Sequence, residues 1–163
     1  MLKNGGAHGF AAIGFPPEAR GAAMDVSAMR QLRIAAKSGE AAAQFNLGVL
    51  YDSRIDDNGY AIEGHRAEAI RWLLAAAEQG LPRAQSRLAE LYADGPNASG
   101  KYVNACVWFL LATASSRGIY RDHARSGYER VATRLTPAQL TKAKRLAGLW
   151  RPQSQETPPL SEG

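Results

Sequence analysis

The sequence predicts an all-α fold in which paired helices stack into a superhelix, or solenoid, closed by a C-terminal helical cap. Three observations point to it. Among 163 residues there are thirty alanines against five valines and six isoleucines; alanine loses no side-chain entropy in a helix, whereas β-branched residues favour strands. Apolar residues recur at steps of three and four, the spacing of one helix face. Two stretches of the chain also repeat each other at fixed offsets, which marks stacked units.

Composition narrows the class further. With 45% hydrophobic and 21% charged residues the chain fits one modest folded domain. No run approaches the roughly 20 apolar residues that span a bilayer. The single cysteine, Cys106, rules out an intramolecular disulfide or a thiolate zinc cluster. The net charge of +5 is lopsided: 11 basic and 11 acidic residues lie up to Ser116, and 9 basic and 4 acidic ones from Arg117 onward. Such an excess can draw an acidic partner, a nucleic acid or an anionic lipid surface. On a helix, however, Arg121 and Arg125 point about 140–180° away from Arg130. These are two faces of a solvated helical surface, and no RNA-recognition signature or zinc finger accompanies them, so nucleic acid is not an expected partner.

Residues 1–24 are rich in Gly and Ala, contain Pro16-Pro17 and show no sustained period, and read as a flexible arm or linker. A signal peptide needs an unbroken apolar stretch of about 7–15 residues, whereas Lys3 is followed by Gly5, Gly6, Gly9 and Gly14. A cytoplasmic location is therefore favoured, with the periplasm or secretion left open should the chain be truncated. At the other end, residues 151–163 are polar and proline-containing and read as a disordered tail.

Between these ends the chain repeats. Ser38-Gly39, Ala43-Gln44, Leu47 and Leu50-Tyr51 return 41 positions later as Gln79-Gly80, Ala84-Gln85, Leu88 and Leu91-Tyr92. The block from Ala69 to Ala76 returns 36 positions later as Ala105 to Ala112. The difference places a five-residue insertion between Asp52 and Arg66, where Asp57-Asn58-Gly59 supplies turn chemistry. Ala43, Leu47, Leu50 and Tyr51 form one helical stripe, and Ala69, Trp72, Leu73 and Ala76 another. Gly39, Gly80 and Gly118 fall where these helices should stop, a left-handed position that glycine occupies without a Cβ penalty. The unit is helix, loop, helix, glycine turn, and such pairs bury their apolar faces by stacking.

Gly39, Ala43-Gln44, Leu47-Gly48, Leu50-Tyr51, Ala69, Trp72, Ala76-Ala77 and Gln79-Gly80 resemble the Sel-one-like repeat, a bacterial-type relative of the tetratricopeptide repeats. The resemblance covers roughly residues 30–118, assigning 25–118 to repeats, and 119–150 look like the helical C-terminal extension of many bacterial members. The chain departs from the family pattern at His65 and Lys101, where an aspartate usually precedes the second helix, and at Ala89, the counterpart of Gly48. In the extension, Thr136-Pro137-Ala138-Gln139 is a capping box with proline at the first helical position. Leu140, Ala143, Ala147 and Trp150 then form one apolar face, while Tyr120, Ala124, Tyr128, Val131 and Leu135 form that of the preceding helix.

Candidate chemistry is sparse. His8, His65 and His123 lack the spacing of a metal site, and His65 reads as an exposed residue at a helix start. Cys106 aligns with Ile70 and reads as a small buried hydrophobe. The Asp56-Asp57 pair reads as a solvated turn, and Trp72 and Trp108, equivalent in two repeats, read as core. The glycines match neither phosphate-cradling motif. No catalytic, cofactor or metal residues are expected, and the resemblance implies a non-catalytic scaffold or adaptor binding a protein or peptide on its concave face. By 100° steps that face carries Phe45, Val49 and Asp52, then Ser86 and Glu90, with Asn46 and Arg87 at its flank; Phe45 either meets a neighbouring helix or contacts a partner. Two alternatives are a regulatory or localising terminal portion of a larger bacterial envelope or polarity protein, and a cell-wall-related hydrolase. The second is implied by cysteine-rich members, whereas this chain has one cysteine.

Overall fold

A computed structural model describes residues 26–53, 63–95 and 98–153. The proposed arm at 1–24, the Asp56-Asp57 pair and the turn at 57–59 lie outside these residues. Among the described residues seven α-helices follow in order: α1 (Val26–Lys37), α2 (Ala41–Asp52), α3 (Glu63–Glu78), α4 (Pro82–Asp94), α5 (Tyr102–Ser115), α6 (Gly118–Ala132) and α7 (Pro137–Leu149). A short 3-10 turn, Ala98–Gly100, precedes α5, and no strand occurs among the described residues. Among these residues no helix is long and apolar enough to cross a membrane.

The glycine turns reproduce one another. Gly39 (φ 95°) ends α1 and Gly80 (φ 88°) ends α3. Glu40 N–H reaches back to the Ala35 carbonyl at 3.1 Å, as Leu81 N–H does to Ala76 at 3.2 Å, so both turns satisfy the last carbonyls of the helix through a left-handed glycine. A second bond repeats in the same register: Gln44 Nε2 donates to the Ala36 carbonyl at 3.1 Å, and Gln85 Nε2 to the Ala77 carbonyl at 3.2 Å. Both glutamines are buried, and each joins the end of one helix to the first turn of the next. Gly118 differs from expectation: α5 has already ended at Ser115, and Gly118 (φ 55°) opens α6.

From α1 to α6 each helix packs on the next along the chain, with a further contact between α4 and α6, while α7 packs on α5. Three clusters form the interior. Ala36 of α1 packs with Ala43 and Leu47 of α2; Phe45 and Val49 of α2 pack with Ala69, Leu73 and Ala76 of α3 and Leu88 of α4; Ala89, Ala105, Phe109, Val131 and Ala143 join α4 to α7. The repeat is visible in this packing, since Leu73 and its counterpart Phe109 are both fully buried. α2 is therefore buried on opposite sides, its first stripe against α1 and its other pole against α3 and α4.

Two expectations about bulky side chains are corrected. Trp72 and Trp108 are half-buried at the margins of the clusters, because the small Ala69 and Ala76, with Leu73, take the innermost line. Trp72 has the Arg71 guanidinium 5.0 Å from its ring, and Trp108 meets Trp150 edge-on at 6.1 Å. His65 is half-buried as well, tilted against Tyr51 at 5.9 Å.

α7 starts on the expected capping box: Gln139 N–H donates to Thr136 Oγ1 at 3.2 Å and Thr136 N–H to Gln139 Oε1 at 2.9 Å. Its inner face carries buried Ala143 and half-buried Leu140, Ala147 and Trp150. The docked chain runs past Trp150 into the expected tail. Pro152 lies beside Gly80, and Gln153 N–H donates to the Glu78 carbonyl at 2.8 Å; residues 154–163 lie outside the described residues.

Candidate partner-binding cavity

The α2, α4 and α6 helices run past one another such that a cavity of about 380 Å³ opens between them. α4 forms its floor through Pro82, Arg83, Ser86, Arg87 and Glu90, residues that fall on one side of a helix. α2 contributes Phe45, and the chain entering and starting α6 contributes Ser116, Ile119, Tyr120 and His123. Ile119 is 71% exposed and Tyr120 44%, so one wall presents large apolar surface to solvent.

Arg83 ties the apolar part together, its guanidinium carbon 5.0 Å from the Phe45 ring centre and 6.0 Å from that of Tyr120. A polar chain runs along the other edge. Arg87 donates to Asp52 of α2 and, at 2.7 Å, to Glu90 Oε2, while Glu90 Oε1 lies 2.5 Å from His123 Nε2 of α6. Burial by itself would lower the Arg87 pKa, but Asp52 and Glu90 together raise it above the ordinary arginine value. Glu90 uses both oxygens as a strut between helices, and Arg87 Nε is buried without a hydrogen-bond partner among the described residues. The arrangement combines an aromatic and aliphatic recess with a fixed polar rim, the composition of a recognition pocket.

Of the residues read from sequence, Phe45, Ser86, Arg87 and Glu90 line this cavity together. Asp52 stands behind Arg87 with a side chain only 10% exposed, and Asn46 is half-buried on α2 outside the lining. Val49 does not face solvent: it is 4% exposed and belongs to the core with Leu73 and Leu88. Phe45 is equally buried and meets neighbouring helices, showing only part of its ring to the cavity. The whole α6 wall was missed. The periodicity puts Tyr120 on the buried stripe of its helix, but that stripe starts at Ala124, which is fully buried, and Tyr120 is 44% exposed. The available signal was Ile119, a branched apolar residue outside the stripe.

Elsewhere, Cys106 is fully buried and its thiol is pushed up to about 11 by burial, against a smaller opposing effect of Lys144. No group of three or more His, Cys, Asp or Glu side chains suited to a metal ion occurs among the described residues. In the basic C-terminal part, Arg125 pairs with Glu129 at 3.1 Å and Arg130 approaches Asp94 at 3.9 Å. Comparison with protein-family models gives no match, and comparison with curated proteins gives none either.

Proposed function

We propose that this chain is a Sel-one-like repeat solenoid that acts as a non-catalytic adaptor, holding a protein or peptide partner in the cavity between α2, α4 and α6. The cavity carries this reading: it draws on three helices, has an apolar wall open to solvent, and keeps its charged groups bonded to one another along the rim. The repeat assignment is supported by the duplicated glycine turns and the duplicated glutamine bonds, which recur 41 residues apart with the same partners. Consecutive hairpins packed in this way make a superhelix with a concave side suited to an extended ligand.

The test is crosslinked affinity capture from the native cell with wild-type and Ile119→Asp proteins. Ile119 is mostly exposed, so the substitution should leave the melting temperature unchanged while weakening capture about tenfold, which corresponds to about 1.4 kcal/mol of lost contact. Equal capture by the two proteins would refute the cavity as the partner site. Phe45→Ala is unsuitable here, because emptying a buried aromatic site costs about 3–5 kcal/mol of stability.

A further inference from the structure

α7 packs on α5, with Ala143 buried between them, and its other side is open. By 100° steps, Ala138, Lys142, Arg145 and Leu149 fall along one line with Leu146 beside it, and all five are exposed. Leu149 is 69% exposed and Leu146 37%. From Arg130 to Gln153 the chain has six basic residues and no acidic one. Arg130 approaches Asp94, and Arg151 bonds to the Gly148 and Trp150 carbonyls. Lys142, Lys144 and Arg145 make no ion pair among the described residues. Unlike Arg87, these cations are not answered within the fold.

We propose that the outer face of α7 binds the surface of an anionic lipid bilayer, with Lys142 and Arg145 on the headgroup phosphates and Leu149 and Leu146 dipping beneath them. Charge carries this choice, because an acid-free face is drawn to the negative surface of anionic lipid, each nearby cation strengthening binding about fivefold. The apolar side chains favour a bilayer over a dissolved polyanion. A mostly exposed leucine beside two cations gains by leaving water, and lipid offers an apolar layer directly under its phosphates. Shape agrees: the line from Ala138 to Leu149 is about 16 Å long and can meet a flat surface along its whole length. α1 is the nearest rival, with Arg30, Arg33 and Lys37 around Ile34, but Asp25 and Glu40 flank it in sequence. It also shows one exposed large apolar side chain where α7 shows two. The α7 face is separate from the cavity between α2, α4 and α6, so its ligand does not depend on the adaptor reading.

The test is sedimentation of the full chain with sucrose-loaded vesicles of phosphatidylcholine, alone or with about 30% phosphatidylserine. Binding should require phosphatidylserine and fall steeply as salt is raised; equal binding to both kinds of vesicle overturns the proposal. Lys142→Gln with Arg145→Gln should weaken binding about 25-fold, about fivefold for each charge, and Leu149→Ser should weaken it about tenfold. Melting temperatures should not change, because all three side chains are exposed. The control is Arg30→Gln with Arg33→Gln, which removes the same charge from exposed positions of α1 and should alter binding less than about twofold. A loss as large as that of the α7 pair would trace the attraction to net charge and overturn the assignment to this face. Polyglutamate supplies the last arm. If it binds the chain and Leu149→Ser leaves vesicle binding unchanged, the face takes an acidic polypeptide and the lipid reading fails.

Discussion

Cys106 shows how one side chain records its surroundings. In one fully buried cluster with Ala105 and Phe109, its thiol is pushed by burial up to about 11, against 9.0 for the free group. The unfolded chain therefore loses this proton first and binds fewer protons than the folded one between these values. Stability should then fall as pH rises from 9 to 11, with Cys106 responsible for up to about 3 kcal/mol of the loss. Denaturant titrations at several pH values should show a shallower decline for Cys106→Ala than for the wild type; parallel curves would exclude the effect. Its alignment with Ile70 marked an inward-leaning position, but Ile70 is only half-buried while Cys106 is fully buried. The role of Gln44 and Gln85 was not legible. Their recurrence was plain, but a buried amide bonded to a carbonyl eight residues earlier requires the turn between them to be folded.

At the level of helices, contact distance is set by glycines that the sequence alone cannot rank. A Cβ on Gly48 would come 2.7 Å from Leu73 Cγ, and one on Gly127 would run into the Phe109 ring, whereas one on Gly148 meets nothing within 4 Å. The same change should thus have opposite signs. Gly127→Ala should cost about 1–2 kcal/mol, overpacking of about 1–3 kcal/mol outweighing the gain in helix propensity, while Gly148→Ala should stabilise by up to about 1 kcal/mol. Thermal melts of the two variants check both signs at once. Local signals did locate helix ends: the Thr136 capping box and the glycines at 39 and 80 stand where they were read. The buried face of α2 was only half legible. Its apolar residues surround the axis, so a single stripe has no preferred identity until α1, α3 and α4 are in place, and the spacing alone puts Val49 on the open pole although it lies in the core.

For the molecule as a whole, the cavity depended on a relation no local pattern contains, the approach of α4 to α6 across an intervening helix. The all-helical class, by contrast, was readable, because helical spacing is a property of the chain itself. The C-terminal pair α6 and α7 covers Phe109 and Ala105 of α5. A chain stopped at Ser116 should expose this cluster, losing about 2–3 kcal/mol for Phe109 alone from a total that is commonly about 5–15 kcal/mol. Size-exclusion chromatography should find it aggregated, and near-UV circular dichroism should find its tryptophan signal collapsed; a monomer with the native signal would contradict the capping role. The duplicated glutamine clasp also has a bearing on how such a chain lengthens. Each clasp needs only a carbonyl from the hairpin before it and an amide from the hairpin after it, so a whole unit can be copied or excised between two clasps and the seam will close on itself. Ancestry by tandem duplication thus requires no new joint to be invented, only an old one to be inherited.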